Sequence, residues 1–383
     1  MSTKEPVYES IKQELKSKIE DGSLREGARI PSEIELAKQL GVNRSQTRQA
    51  FRELEVEGYL IRRQGSGSYV APMAGQLSAV KVAGARAIAI VIPKVIAGHS
   101  QNVVQGFMHR TSTEPLQIVT YNLNLPQPHA PSEPRFLRSV IDSGVTGLVL
   151  WIGNDNEHTR GLIQGLIERR FPFVLIDRYL PGLDADYVVS DNRTLAHSLT
   201  QELIRRGHKR IGFVGVEFPN ASSIQDRVEG YRQALLDAGL RYDDQYVVDL
   251  AELERSSKET IGTMMAKCER PTAFVCVHVD AARLVHKELT ALGYRVGENM
   301  EMAIVDDEYP LGMPEVHMIR RPQNGHEIGV QSAELLLARM ANPGMPIQRL
   351  YIDPGALIDS EPIAAGTERR WDCARAEDAC APK

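Results

Sequence analysis

The chain has 383 residues, 42% hydrophobic and 25% charged, with a formal charge of −5. That composition belongs to a globular protein too long for one average domain, and its net acidity excludes bulk attraction to nucleic acid. No apolar run approaches the roughly 18–20 residues of a membrane span, and the charged, amphipathic start lacks a signal-peptide core. Cys268, Cys276, Cys373 and Cys380 are too few and too scattered for a disulfide framework or a metal site. A cytoplasmic protein without membrane association, cofactor or metal is expected.

Residues 7–21 repeat apolar side chains at Tyr8, Ile11, Leu15 and Ile19, the stripe of a helix closed by Gly22. In "RIPSEIELAKQLGV", Ser32 and Glu35 form a capping-box signature behind Pro31. A short helix should start there and end at Gly41. "VNRSQTRQAFREL" follows, with Thr47, Ala50, Phe51 and Leu54 at the i, i+3, i+4, i+7 positions of an inward face. Arg44, Ser45, Arg48, Gln49 and Arg52 then fall on the other side, with Gln46 beside them. Two short helices about a glycine turn, the second arginine-rich outside, form the helix-turn-helix pattern. "GYLIRRQGSGSYV" reads as two strands, Leu60–Arg63 and Ser68–Val70, around a glycine-rich tip. Such a hairpin after a helix-turn-helix is a wing, and Arg62 and Arg63 add charge to it.

Residues 1–71 hold 12 Lys+Arg and 11 Asp+Glu, so the case for DNA rests on where the arginines stand. Arginine's planar fork suits guanine O6/N7 and phosphate. The pattern over residues 7–71, "Y..I...L...I..G.L..G..IPSE.ELA..LGV.R...R.A...L...GYL....G.G.YV", closely resembles the winged-helix domain of the GntR family of bacterial regulators. The resemblance implies that Arg44 and Arg48 contact DNA from the recognition helix, and that Gly65 and Gly67 are wing glycines. The expected DNA contacts are Arg44, Ser45, Gln46, Arg48, Gln49, Arg52, Arg63, Gly65 and Gly67. One departure is Ile34, where relatives often carry an arginine.

Residues 72–85 are small and flexible in composition and read as a linker. From residue 86 short apolar runs alternate with helical stretches: "AIAIVIP", "GLVLWI", "FPFVLID", "RIGFVG", "AFVCV" and "MAIVDD" are separated by segments such as "LAHSLTQELIRRG" and "RVEGYRQALLDAG". This implies βαβ units and parallel sheets covered on both faces, with ligands at the carboxyl ends of the strands. Their length favours two doubly wound lobes over residues 86–365. Residues 366–383 form a polar tail, expected to be disordered.

"VLIDR", "VVSDN", "LIRRGHKRIGFVG", "SIQDRVEGYRQALLDAGL" and "AIVDDEYP" resemble the effector domain of the LacI/GalR family, which shares the fold of periplasmic sugar-binding proteins. Head and body together are similar to the arabinose repressors of some Gram-positive bacteria. The resemblance implies that Arg227 and Asp306 clamp sugar hydroxyls, for which an acid and a guanidinium are suited. Asp177 at a strand end, Ser223 one turn before Arg227, and His278, which stands where the family often has asparagine, complete the expected effector residues. Asp191 and Asn192 read equally well as a helix cap, and Trp151 or Tyr179 offers a stacking face.

No G-x-S-x-G elbow, H-E-x-x-H or Walker A loop is present, and "GSGS" at 65–68 joins two strands where a phosphate loop should enter a helix. No catalysis is expected. The sequence therefore predicts an α/β protein: a winged helix-turn-helix followed by a two-lobed, periplasmic-binding-protein-like domain. It would act as a homodimeric regulator, more readily a repressor, of double-stranded operator DNA, controlled by a small effector, first a sugar. The alternatives are a purine or phosphorylated effector, or a sugar-binding module with an ineffective DNA head.

Overall fold

The computed structural model describes residues 7–20, 23–25, 27–56, 59–63, 66–71, 86–92, 98–122, 133–153, 155–216, 221–305 and 316–359. The expected linker at 72–85, the tail at 366–383, Gly65 and Asp306 lie outside them. In chain order the elements are α1 (Val7–Glu20), α2 (Glu33–Leu40), α3 (Arg44–Val56), β1 (Leu60–Arg63), β2 (Gly67–Val70), β3 (Arg86–Ile92), α4 (His99–Thr111), β4 (Leu116–Asn122), α5 (Glu133–Asp142), β5 (Gly147–Leu150), α6 (Glu157–Glu168), β6 (Phe173–Ile176) and β7 (Tyr187–Ser190). There follow α7 (Asn192–Arg205), β8 (Ile211–Val216), α8 (Ser222–Asp237), β9 (Val247–Asp249), α9 (Leu250–Met265), β10 (Ala273–Cys276), α10 (Val279–Ala291), β11 (Glu301–Val305), β12 (Ile319–Arg321), α11 (Gly325–Ala341), β13 (Arg349–Ile352) and β14 (Ile358–Asp359). The chain divides into two units, Met1–Lys94 with Glu114–Phe173, and Val95–Thr113 with Val174–Lys383.

The first unit begins with three helices and a hairpin. Ile11, Leu15 and Ile19 of α1 pack with Leu36 of α2, Ala50, Phe51 and Leu54 of α3, and Leu60 and Val70 of the hairpin. α2 starts as its sequence dictates: the Ser32 hydroxyl accepts from the Glu35 amide at 3.2 Å while the Glu35 carboxylate accepts from the Ser32 amide at 2.8 Å. It ends at Gly41, in the left-handed conformation. The Thr47 hydroxyl, fully buried, donates to the Glu33 carbonyl of α2 at 2.9 Å and to Arg44 O at 3.0 Å, which fixes the two helices to each other. β1 and β2 pair antiparallel. The stretch before α2 adds to them, with Ile30 N donating to Ser68 O and Val70 N to Ala28 O. This unit also holds parallel strands in the order β5-β3-β4, with α5 and α6.

The second unit contains a six-stranded sheet of order β14-β12-β11-β10-β8-β9, parallel except for the short β14. Its central strands β8, β10 and β11 carry apolar side chains on both faces, as a covered parallel sheet requires. Along β10, Phe274 and Cys276 pack on one side with Leu253 and Ile261 of α9 and Val285 of α10. Ala273 and Val275 pack on the other with Leu195 and Leu199 of α7 and Tyr231 of α8. That two-residue alternation is the doubly wound arrangement. Strands β13-β7-β6 form a further parallel array in this unit.

α7 and α8 approach closely because position 230 is glycine: a Cβ there would lie 2.2 Å from the Arg193 carbonyl oxygen. The contact sets the first turn of α7 against the middle of α8.

Candidate functional site

On α3 the buried and exposed faces separate as the periodicity requires. Thr47, Ala50, Phe51 and Leu54 are completely buried, while Arg44, Ser45, Arg48, Gln49 and Arg52 are exposed. Asn43 Oδ1 accepts from the Ser45 amide and supports the helix start. Gln46 departs from the expected face: it is half-buried, and its Oε1 accepts from the Tyr8 amide at 3.1 Å, holding the start of α1.

The wing arginines have different surroundings. Arg62 donates to Glu33 at 2.6 Å and to Glu55 at 3.1 Å; those two carboxylates reinforce its ionised form. Arg63 lies over the Tyr69 ring, 4.7 Å from its centroid. Gly67 has φ +114, a region closed to ordinary side chains, and a Cβ there would meet Arg29 Nε at 3.3 Å. Arg29, which no sequence pattern singles out, thus stands beside the wing. Its own backbone pairs with that of Tyr69.

The second cluster is built at the carboxyl ends of strands in the second unit. Arg227, 5% exposed, donates from Nε to Asn192 Oδ1 at 2.7 Å, from Nη1 to Val277 O at 2.8 Å and from Nη2 to Gln323 Oε1 at 2.7 Å. These three acceptors orient the guanidinium. One residue away on each helix, Arg193 donates to Asp226 at 3.0 Å. Tyr179 donates its hydroxyl to the same carboxylate at 3.2 Å and stacks on Tyr187 at 4.8 Å. Burial, and then the neighbouring Asp226 charge, push the Tyr179 hydroxyl up to about 12, so it remains a donor through the neutral range.

Asp177 follows β6 in a left-handed conformation, φ +67, that few side chains other than Asp and Asn adopt. It is buried, accepts from Arg178 Nε at 3.2 Å, and lies 3.7 Å from His99 Nε2 at the start of α4. Ser223 is buried beside Arg227, but its neighbour Ser222 ties α8 to the Tyr179 backbone, through bonds of 2.9 Å to both N and O. His278 caps α10, its Nδ1 accepting from the Ala281 amide at 3.2 Å. Among the described residues no group of three or more His, Cys, Asp and Glu side chains is placed to hold a metal ion. No helix among them is long and apolar enough to cross a membrane.

The second unit thus holds a buried, oriented guanidinium and a buried carboxylate, and the first holds an arginine-faced helix-turn-helix. Comparison with known proteins agrees. Residues 7–70 match the family of bacterial regulatory proteins, gntR family, and residues 200–360 match the periplasmic binding protein-like domain. The Arabinose metabolism transcriptional repressor of Geobacillus stearothermophilus is 30% identical over 348 residues, spanning 87% of this chain and 90% of that one. The chain belongs to this family of transcriptional repressors. The protein of the same name from Halalkalibacterium halodurans is 24% identical over 345 residues, 87% of this chain and 89% of that one. Among solved structures, a complex of the transcriptional regulator CelR with cellobiose superposes with a TM-score of 0.61. It is 21% identical and covers 86% of this chain and 98% of that one, a likeness of fold.

The repressor is thus a DNA-binding transcriptional regulator with a GntR-type winged helix and a two-lobed α/β domain. The sequence reading missed Gln323, Arg193, Asp226, Arg178 and His99, and it named Asn192 only with Asp191, as a strand-end polar group or a helix cap. For Asn192 and Arg193 a signal existed: both fall in the first turn of α7, opposite the close-approach glycine of "RVEGY". For His99 and Gln323 none did, since each reaches its place through the tertiary fold.

Proposed function

We propose that this repressor's operator affinity is controlled by a small polyhydroxylated effector, a sugar, held by Arg227 and Asp177 with Ser223 nearby. The observation that carries this is the Arg227 guanidinium, buried and fixed on three uncharged acceptors. Neighbouring hydroxyls of a sugar both donate and accept, so a cation and an acid satisfy them together. The names of the relatives, arabinose repressors and a cellobiose-bound regulator, support the same class. His278, already engaged as a cap, and Asp306, outside the described residues, complete the expected set. On the DNA side, Arg44, Arg48, Gln49 and Arg52 with Ser45 supply base and phosphate contacts from α3, and Arg63, Gly65 and Gly67 approach from the wing. Gln46 serves there through its support of α1.

The protein acts as a cytoplasmic homodimer without catalytic activity, because one small reading head gains affinity and specificity by pairing on two half-sites. Effector binding shifts the equilibrium between conformations that place the two heads differently. A phosphorylated effector is the second reading, since a buried guanidinium suits phosphate oxygens as well as sugar hydroxyls.

Fluorescence anisotropy on the DNA upstream of the repressor's own gene, with pentoses, hexoses and their phosphates added in turn, tests both. Saturable binding that a neutral sugar weakens supports the proposal. Weakening only by a phosphorylated sugar selects the second reading. Specific binding that no compound alters overturns both.

A further inference from the structure

Ile34 is 57% exposed, the largest exposure among the large apolar side chains of the described residues that stand in solvent. A single exposed isoleucine on an ordinary surface needs no explanation, but this one stands in the first turn of α2, between two residues already committed. Glu33 pairs with Arg62 at 2.6 Å and lies 3.9 Å from Arg44, and Glu35 closes the capping box. The Glu33 carbonyl also accepts from Thr47, one residue before Arg48. Ile34 therefore shares a rim with the first turn of α3, where helix-turn-helix proteins meet base edges while the preceding helix crosses the backbone. The apolar group that base edges present in the major groove is the 5-methyl of thymine.

We propose that Ile34 is a specificity-determining residue that contacts a thymine 5-methyl group in each half-site. The inference rests on DNA binding by α3 and adds an apolar reading to the polar one of the arginines.

The test begins by selecting an operator from a random duplex library with the full-length chain. Each thymine is then replaced in turn by deoxyuridine, which lacks only the methyl, and binding is titrated by anisotropy. Wild type should lose about fourfold in affinity at one thymine per half-site, the value of one methyl-sized group removed from water. Ile34→Ala should bind the thymine and uracil duplexes equally, and Ile34→Val should retain part of the discrimination. Wild-type indifference to every replacement, or an Ile34→Ala variant as sensitive as wild type, would overturn the proposal. A selection that enriches no sequence would overturn operator recognition as a whole, this inference included.

Discussion

Arg227 on α8 is oriented by Asn192 on α7 through an Nε–H···Oδ1 hydrogen bond of 2.7 Å. A guanidinium has many rotamers, and fixing one before a ligand arrives spares the entropy that binding would otherwise cost. The relationship makes Asn192 the positioning partner of the proposed effector contact.

Arg227→Ala should leave operator binding intact and abolish the response to whichever compound releases the wild type. The buried acceptors of Asn192, Val277 and Gln323 would lose a partner, so a stability loss of about 1–3 kcal/mol should accompany it. Anisotropy with and without effector, together with a thermal melt, separates the two effects. A variant that responds normally would remove Arg227 from the site.

Gly230→Ala is expected to force α7 and α8 apart, since the added Cβ would stand 2.2 Å from a backbone oxygen that has no rotamer to change. Overpacking of this kind costs about 1–3 kcal/mol, and the Arg227–Asn192 and Arg193–Asp226 bonds should loosen together. The measurements are the denaturant midpoint and effector affinity; unchanged values would mean that the helices yield at no cost.

Arg48→Ala should weaken operator binding by about 1–3 kcal/mol and relax preference at one operator position. Binding titrations on single-base operator variants decide this. An equal loss on all sequences would assign Arg48 to phosphate.

Glu301 concerns stability and pH. Completely buried, it receives His208 at 2.8 Å and pairs with Arg206. Burial alone would raise its pKa, but the His208 bond and the Arg206 charge hold it below the usual carboxylate range. Because the folded value is depressed, its contribution is fully present above the unfolded value of about 4.3 and fades as pH falls through the folded one. Glu301→Gln should therefore be less stable than wild type at neutral pH, and the gap should narrow below about pH 4. Urea midpoints across pH 3–7 check the trend; a gap that widens on acidification would contradict it.

The sequence made the reading head legible almost residue by residue because its signals are local. Ser32 with Glu35, Gly41, and the spacing of Thr47, Ala50, Phe51 and Leu54 each act within a few positions, and each appears in the fold as expected. Asp191 likewise caps α7, accepting from Thr194 N. The cluster around Arg227 was legible in part: resemblance marked Arg227, a strand end marked Asp177, and Ser223 and Tyr179 were named beside them. Asn192 read as a possible cap, yet its side chain turns to Arg227 while Asp191 does the capping, a division of labour that periodicity does not encode. Gln323 is 96 positions from Arg227, a separation no local pattern spans.

The Thr47 hydroxyl, buried between the two helices of the head, has one more implication. A switch that hinged the two helices apart would break the bond to the Glu33 carbonyl, leaving the hydroxyl only Arg44 O of its own helix. The head therefore travels as a fixed die, its raised characters unaltered between the bound and released states. An inducer can lift the die from the page or change the gap between two of them, but it does not recut the type.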